Sequence, residues 1–138
     1  MPAPADARSQ NLTGVWHGLY SYPAQYKMPE SHFVATLIDG GAYFSGTIHE
    51  VMRGRDKEVP ANAMVEGTHD GNHVTFVKTY DGTSGHSHSL MYDGQLSSDA
   101  TEIEGTWRTT SGFSGTFLMI RNRGSGESVS VKIAEEVH

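Results

Sequence analysis

A chain of 138 residues with a formal net charge of −6 suits one domain around one core, and it lacks the basic stripe of a nucleic-acid binder. The absence of cysteine removes disulfides and thiolate chemistry, and it deprives any metal site of its softest ligand. No apolar run approaches about 18 residues, so no membrane partner is expected.

The first ten residues, MPAPADARSQ, read as a disordered arm. They have no apolar centre of a secretory leader, so the expected compartment is the cytoplasm. Beyond them, turn-forming pairs recur at short intervals: Asp39-Gly40-Gly41, Asp70-Gly71-Asn72, Asp81-Gly82 and Ser111-Gly112. Between the turns lie stretches rich in β-branched and aromatic residues, predicted as eight strands over 13–22, 32–38, 42–51, 61–69, 73–80, 87–96, 101–109 and 113–121. The spacing is that of hairpins in series. Closing such a meander removes its two exposed edges, so the expected fold is all-β: an eight-stranded antiparallel up-and-down β-barrel over residues 11–123. The segment 52–60, MRGRDKEVP, reads as a charged loop at one mouth. Residues 124–138 follow a Gly-Ser-Gly hinge and read as a C-terminal tail or extra strand.

Alternation along each strand assigns faces. On the first strand Trp16, Gly18, Tyr20 and Tyr22 face inward; on the third, Phe44, Gly46, Ile48 and Glu50. The seventh turns Ile103, Gly105 and Trp107 inward, and the eighth Phe113, Gly115, Phe117, Met119 and Arg121. Glycines beside large rings either open a lumen with aromatic walls or relieve strand bending while the rings fill the core. On the fifth strand, bulk favours Val74, Phe76, Lys78 and Tyr80 inside. The rarity of buried lysine turns the reading toward Lys78 outside. Leu118 and Ile120 face outward and would fit a dimer patch, so a homo-oligomer is a candidate partner state.

The first and last strands carry the pattern of a known superfamily. Gly14-Val15-Trp16 opens the first, and FLMIRNR closes the last. This resembles the calycin barrels (lipocalins, fatty-acid-binding proteins and avidins), many of which pack such a Trp at the closed end under a basic residue of the last strand. The resemblance implies structural roles for Trp16 and Arg121, with Arg121 across the indole as a cation–π pair. In length and strand spacing, FSGTIHE, HSHSLMYDGQL and IEGTWRT look like avidin strands, and that likeness also favours Lys78 outward. The biotin contacts do not carry over: Gly18, Tyr20, Ile48, His88 and Arg121 stand where polar contacts to biotin would be.

The sixth strand raises a chemical question, because His86 and His88 share a face with Leu90 and Tyr92. They could contact a ligand or neighbouring Tyr and Glu groups, sit at the mouth half exposed, or hold a metal or haem with help from Glu50, His69 or His73. No spacing supplies a third ligand, so no metal or cofactor is assigned. Glu50 lies either inside, as a base or acceptor, or at the rim in water. The candidate ligand-binding residues are Tyr20, Tyr22, His86, His88, Tyr92 and Trp107. Two functions stay open: a barrel binding a small, partly aromatic molecule, or a cofactor-independent isomerase, cyclase or lyase with Glu50 and His88 as acid–base pair. Glu50 within hydrogen-bond reach of His88 in a closed cavity would favour the enzyme; satisfied lining groups would favour binding.

Overall fold

The computed structural model describes residues 11–53, 58–82 and 88–121. Eight strands run β1 (Gly14–Ser21), β2 (Ser31–Asp39), β3 (Tyr43–Arg53), β4 (Glu58–Asp70), β5 (His73–Tyr80), β6 (Ser89–Leu96), β7 (Glu102–Arg108) and β8 (Ser114–Ile120). Each pairs antiparallel with the next, and β1 also pairs with β8, so the sheet closes into a barrel in sequence order. Closure leaves no edge strand, and alternation then sorts residues between interior and outer surface. On β6 the alternation is complete: Leu90, Tyr92, Gly94 and Leu96 are buried between exposed neighbours. No helix among the described residues is long and apolar enough to cross a membrane.

Of the segment expected as a loop at 52–60, residues 52–53 and 58–60 are ladder, and residues 54–57 lie outside the described residues. Met52 pairs with Val59 and Arg53 with Glu58, so β3 and β4 extend as a two-stranded ribbon. Charge in the sequence suggested a loop, but paired strand ends with exposed positions such as Glu58 and Pro60 accommodate polar residues. The arm at 1–10 and the tail at 124–138 lie outside the described residues.

One end of the barrel is sealed by the chain entering β1. Leu12 is buried; its amide donates to Asp39 Oδ2 at 2.8 Å, and the Asp39 amide donates to Thr13 Oγ1 at 2.8 Å. Trp16 is fully buried and its indole N–H donates to the Leu12 carbonyl at 2.9 Å. The Arg121 guanidinium carbon lies 4.4 Å from the centre of the Trp16 ring system. Its nitrogens donate to the carbonyls of Asn11, Thr13 and Ala100 at 2.8, 3.1 and 2.7 Å. The guanidinium therefore ties three chain segments together over one ring.

The glycines do not leave empty space where β1, β2, β7 and β8 meet. A methyl group on Gly18 would fall 2.2 Å from the Phe33 ring; one on Gly115 would fall 2.0 Å from the Ser21 carbonyl and 2.7 Å from the Trp107 ring. Rings and neighbouring backbone occupy the room that glycine yields, so the packing reading holds at these positions. Deeper in the barrel Phe76 and Tyr92 stack at 4.6 Å and 9°, with Phe117 edge-on to Tyr92 at 4.9 Å.

The outer patch expected from Leu118 and Ile120 is not open. Leu19 and Ile120 are buried on the outer side of β1 and β8, with Leu118 partly buried against them. Cross-strand pairing of Leu19 with Leu118 brings these side chains together.

Candidate functional site

At the end opposite Trp16, polar side chains from three strands converge inside the barrel. Glu50 near the end of β3 is 5 % exposed, and Lys78 on β5 is fully buried. Sequence placed Lys78 outside; the structure places it inside, with Val74, Phe76 and Tyr80 of the same face. Burying one ammonium alone would cost several kcal/mol, and a partner changes the balance. That partner is Glu50, whose Oε1 lies 2.5 Å from Lys78 Nζ. Two phenols complete the carboxylate's shell: Tyr20 donates to Oε2 at 2.6 Å and Tyr80 to Oε1 at 2.9 Å. Of the rim and interior positions open to Glu50, the structure shows the interior one.

Lys78 has a second kind of partner. Its Nζ lies 4.6 Å from the Tyr80 ring centroid, 4.7 Å from Tyr20, 5.8 Å from Phe33 and 5.9 Å from Tyr92. Ring faces attract a cation, and more so where water is excluded. Burial nevertheless pushes the lysine pKa down, with the Glu50 charge and hydrogen bond opposing it. The phenols move the other way. Burial first, then the Glu50 charge, raises Tyr20 far above the ordinary phenol range. Burial first, then Tyr20, raises Tyr80 and Tyr92. The phenols stay protonated, and Tyr20 and Tyr80 donate to Glu50.

Above this cluster lies a belt of rings. Trp107 is buried and donates its indole N–H to the Ser21 carbonyl at 3.1 Å. Its ring sits 6.1 Å from Tyr20 and 5.5 Å from Tyr22. Phe113 packs 5.8 Å from Trp107, and the exposed Tyr26 packs 4.7 Å from Phe113. Tyr22 and Phe113 are only partly buried, so the belt runs from the interior to solvent.

Of the residues read as ligand-binding, Tyr20, Tyr22 and Trp107 come together here. Tyr92 lies one layer deeper, stacked on Phe76. His88 is not buried with Leu90 and Tyr92. It precedes β6, is exposed at the rim, and sets its ring 4.9 Å from that of Tyr80. Backbone pairing reaches His88, whose carbonyl accepts from the Tyr80 amide at 3.2 Å, but this position lies at the end of the pairing and stays open to solvent. His86 lies outside the described residues.

The metal reading gains no convergence. Among the described residues no group of three His, Asp or Glu side chains could hold one ion. His69 pairs with Asp39 at 2.7 Å near the closed end, and His73 with Asp93 at 2.8 Å on the surface. The sequence reading left Lys78, Tyr80, Phe33 and Phe113 out of the candidate site, although it turned Phe113 inward. Bulk along β5 was the signal that would have turned Lys78 and Tyr80 inward together.

No protein-family model matches this chain, and no curated protein matches it. The fold and the site define a closed antiparallel barrel with an aromatic belt above a buried Glu–Lys–Tyr cluster.

Proposed function

We propose that this barrel binds a small, partly aromatic molecule at the end opposite Trp16, between the Tyr22–Trp107–Phe113 rings and the Glu50–Lys78 cluster. The observation that carries the reading is the cluster itself. A buried ion pair is no better for stability than well-packed apolar side chains of similar volume. A charged and hydrogen-bonding group kept at the inner end of a row of rings that reaches solvent is what a binding site needs for orientation. The rings would supply contact area, and Tyr20, Glu50 and Lys78 would supply polar recognition. The resemblance to calycin barrels, which bind ligands at one end, supports the same reading. In this reading the protein works in the cytoplasm.

A second reading is enzymatic. Its pair is Glu50 with Lys78 rather than Glu50 with His88, since burial lowers the proton affinity of Lys78 beside a carboxylate that can exchange protons with it. The carboxylate's shell of Tyr20, Tyr80 and Lys78 leaves it satisfied, which favours binding over turnover.

The test uses 1-anilinonaphthalene-8-sulfonate, a flat aromatic probe. Saturable binding of one probe per chain, weakened about tenfold or roughly 1.4 kcal/mol by Trp107→Ala and unchanged by Ile38→Ser on the outer surface, is the expected result. Equal binding to the parent and Trp107→Ala overturns the site.

A further inference from the structure

We propose that Lys78 condenses with an aldehyde or ketone conjugated to an aromatic ring and holds it in the barrel as a protonated imine whose N–H faces Glu50. This deepens the binding reading above and rests on it.

The argument starts from donors and acceptors. A lysine ammonium carries three N–H donors and no acceptor. Lys78 Nζ is fully buried, and among the described residues the oxygen within ion-pair distance is Glu50 Oε1 at 2.5 Å. Among the described residues Nζ has no polar partner besides that carboxylate oxygen. Its other sides face the rings of Tyr20, Tyr80, Phe33 and Tyr92. The site therefore suits a cation with one N–H and a delocalised, weakly hydrated charge better than one with three. A protonated imine is that cation: its single N–H meets Glu50, and its π-system meets ring faces.

The step balances without an outside reagent. The Lys78 ammonium gives a proton to Glu50 Oε1, and the nitrogen lone pair forms a bond to the carbonyl carbon. The carbonyl oxygen takes that proton and becomes a hydroxyl. A second proton, passed from nitrogen through Glu50, converts the hydroxyl into a leaving water. The C–O bond breaks as the C=N bond completes. Two ammonium protons and the carbonyl oxygen depart as water, the third proton stays on nitrogen, and net charge is unchanged. Burial lowers the lysine's proton affinity and so eases the first transfer.

The aromatic part of the ligand follows from what lies between Lys78 and solvent. Tyr20 touches the lysine; Tyr22 and Trp107 pack on Tyr20 at 5.7 and 6.1 Å and lead to the partly exposed Phe113. A conjugated ring on the carbonyl compound would take its place among them.

The experiment treats the full-length protein with trans-cinnamaldehyde and then cyanoborohydride, and maps the modified lysine by mass spectrometry. Lys27, Lys57 and Lys132 serve as internal references. Trapping at Lys78 at least about tenfold above each reference lysine supports the proposal, and Lys27→Arg should leave it intact. Label spread evenly, or none at Lys78, overturns it. In parallel, trans-cinnamyl alcohol, which cannot form an imine, is titrated by tryptophan fluorescence. Saturable alcohol binding without trapping at Lys78 overturns the imine and leaves the binding site standing. Absence of both overturns the two together. Because the mapping is done on the parent chain, the result holds even if Lys78→Met fails to fold.

Discussion

Lys78 and Glu50 face each other at 2.5 Å inside the barrel, the lysine from β5 and the glutamate from β3. The strand between them, β4, brings Ala61 opposite Glu50, Val65 opposite Lys78, and between these Ala63 opposite both Ile48 and Tyr80. Small side chains there let two long ones meet across an intervening strand. The pair is thus a product of three strands.

Breaking the pair from one side should be costly. Lys78→Met leaves Glu50 charged in a dry site and is expected to lower stability by about 3–5 kcal/mol. Adding Glu50→Gln restores a neutral acceptor for Tyr20 and Tyr80 and should recover at least half of that loss. Urea unfolding of the four members of the cycle measures the coupling. Additive losses would show that the two side chains do not sense each other.

The closed end offers a second test. Arg121→Ala removes the cation over Trp16 and leaves the carbonyls of Asn11, Thr13 and Ala100 without this donor. The expected loss is about 2–4 kcal/mol, with a shift in tryptophan emission as Trp16 loses its cover. Arg121→Lys keeps the charge but not the planar fork, and should recover only part of the stability. Thermal unfolding equal to the parent for both variants would contradict the role given to the guanidinium.

Stability should fall steeply in alkali. Burial foremost raises Tyr20, Tyr80 and Tyr92 in the folded chain, whereas the unfolded chain ionises its phenols near pH 10. Above about pH 10 the unfolded state binds fewer protons, so each ring removes about 1.4 kcal/mol per pH unit. Lys78 has the opposite sign. Its folded value is lowered, so its contribution rises with pH until unfolded lysine titrates near 10.4 and is constant beyond. Denaturant midpoints between about pH 10.5 and 11.5 should drop by the equivalent of about 4 kcal/mol, and about a third less in Tyr80→Phe. Ionisation of these three phenols, followed by their absorbance, should coincide with unfolding; full ionisation with the barrel intact would refute the burial argument.

Gly115→Ala tests the packing of the belt. The added methyl meets the Ser21 carbonyl at 2.0 Å and Trp107 at 2.7 Å, so β1 or the indole must move. A loss of about 2 kcal/mol or more is expected, together with altered tryptophan emission. Gly40→Ala is the comparison: its nearest neighbour would be the Tyr43 carbonyl at 3.7 Å, and its effect should stay within about 0.5 kcal/mol.

The sequence by itself determined the barrel. Period-two alternation and turn residues are local signals, and they suffice for eight strands, for closure, and for the inward facing of Trp16, Tyr20, Trp107 and Phe117. Only the tertiary structure decided where charge could go. Whether Lys78 turns inward depends on an acceptor, and Glu50 becomes that acceptor only when β3, β4 and β5 stand in register. The exposure of His88 depended likewise on where the barrel rim falls, which alternation does not encode. The space above the glycines was settled by which rings reached it: Phe33 from β2 lies over Gly18, and Trp107 from β7 lies over Gly115. Facing is a property of a strand's own covalent geometry, whereas the energy of burying a polar or bulky group belongs to partners that lie far away in the chain.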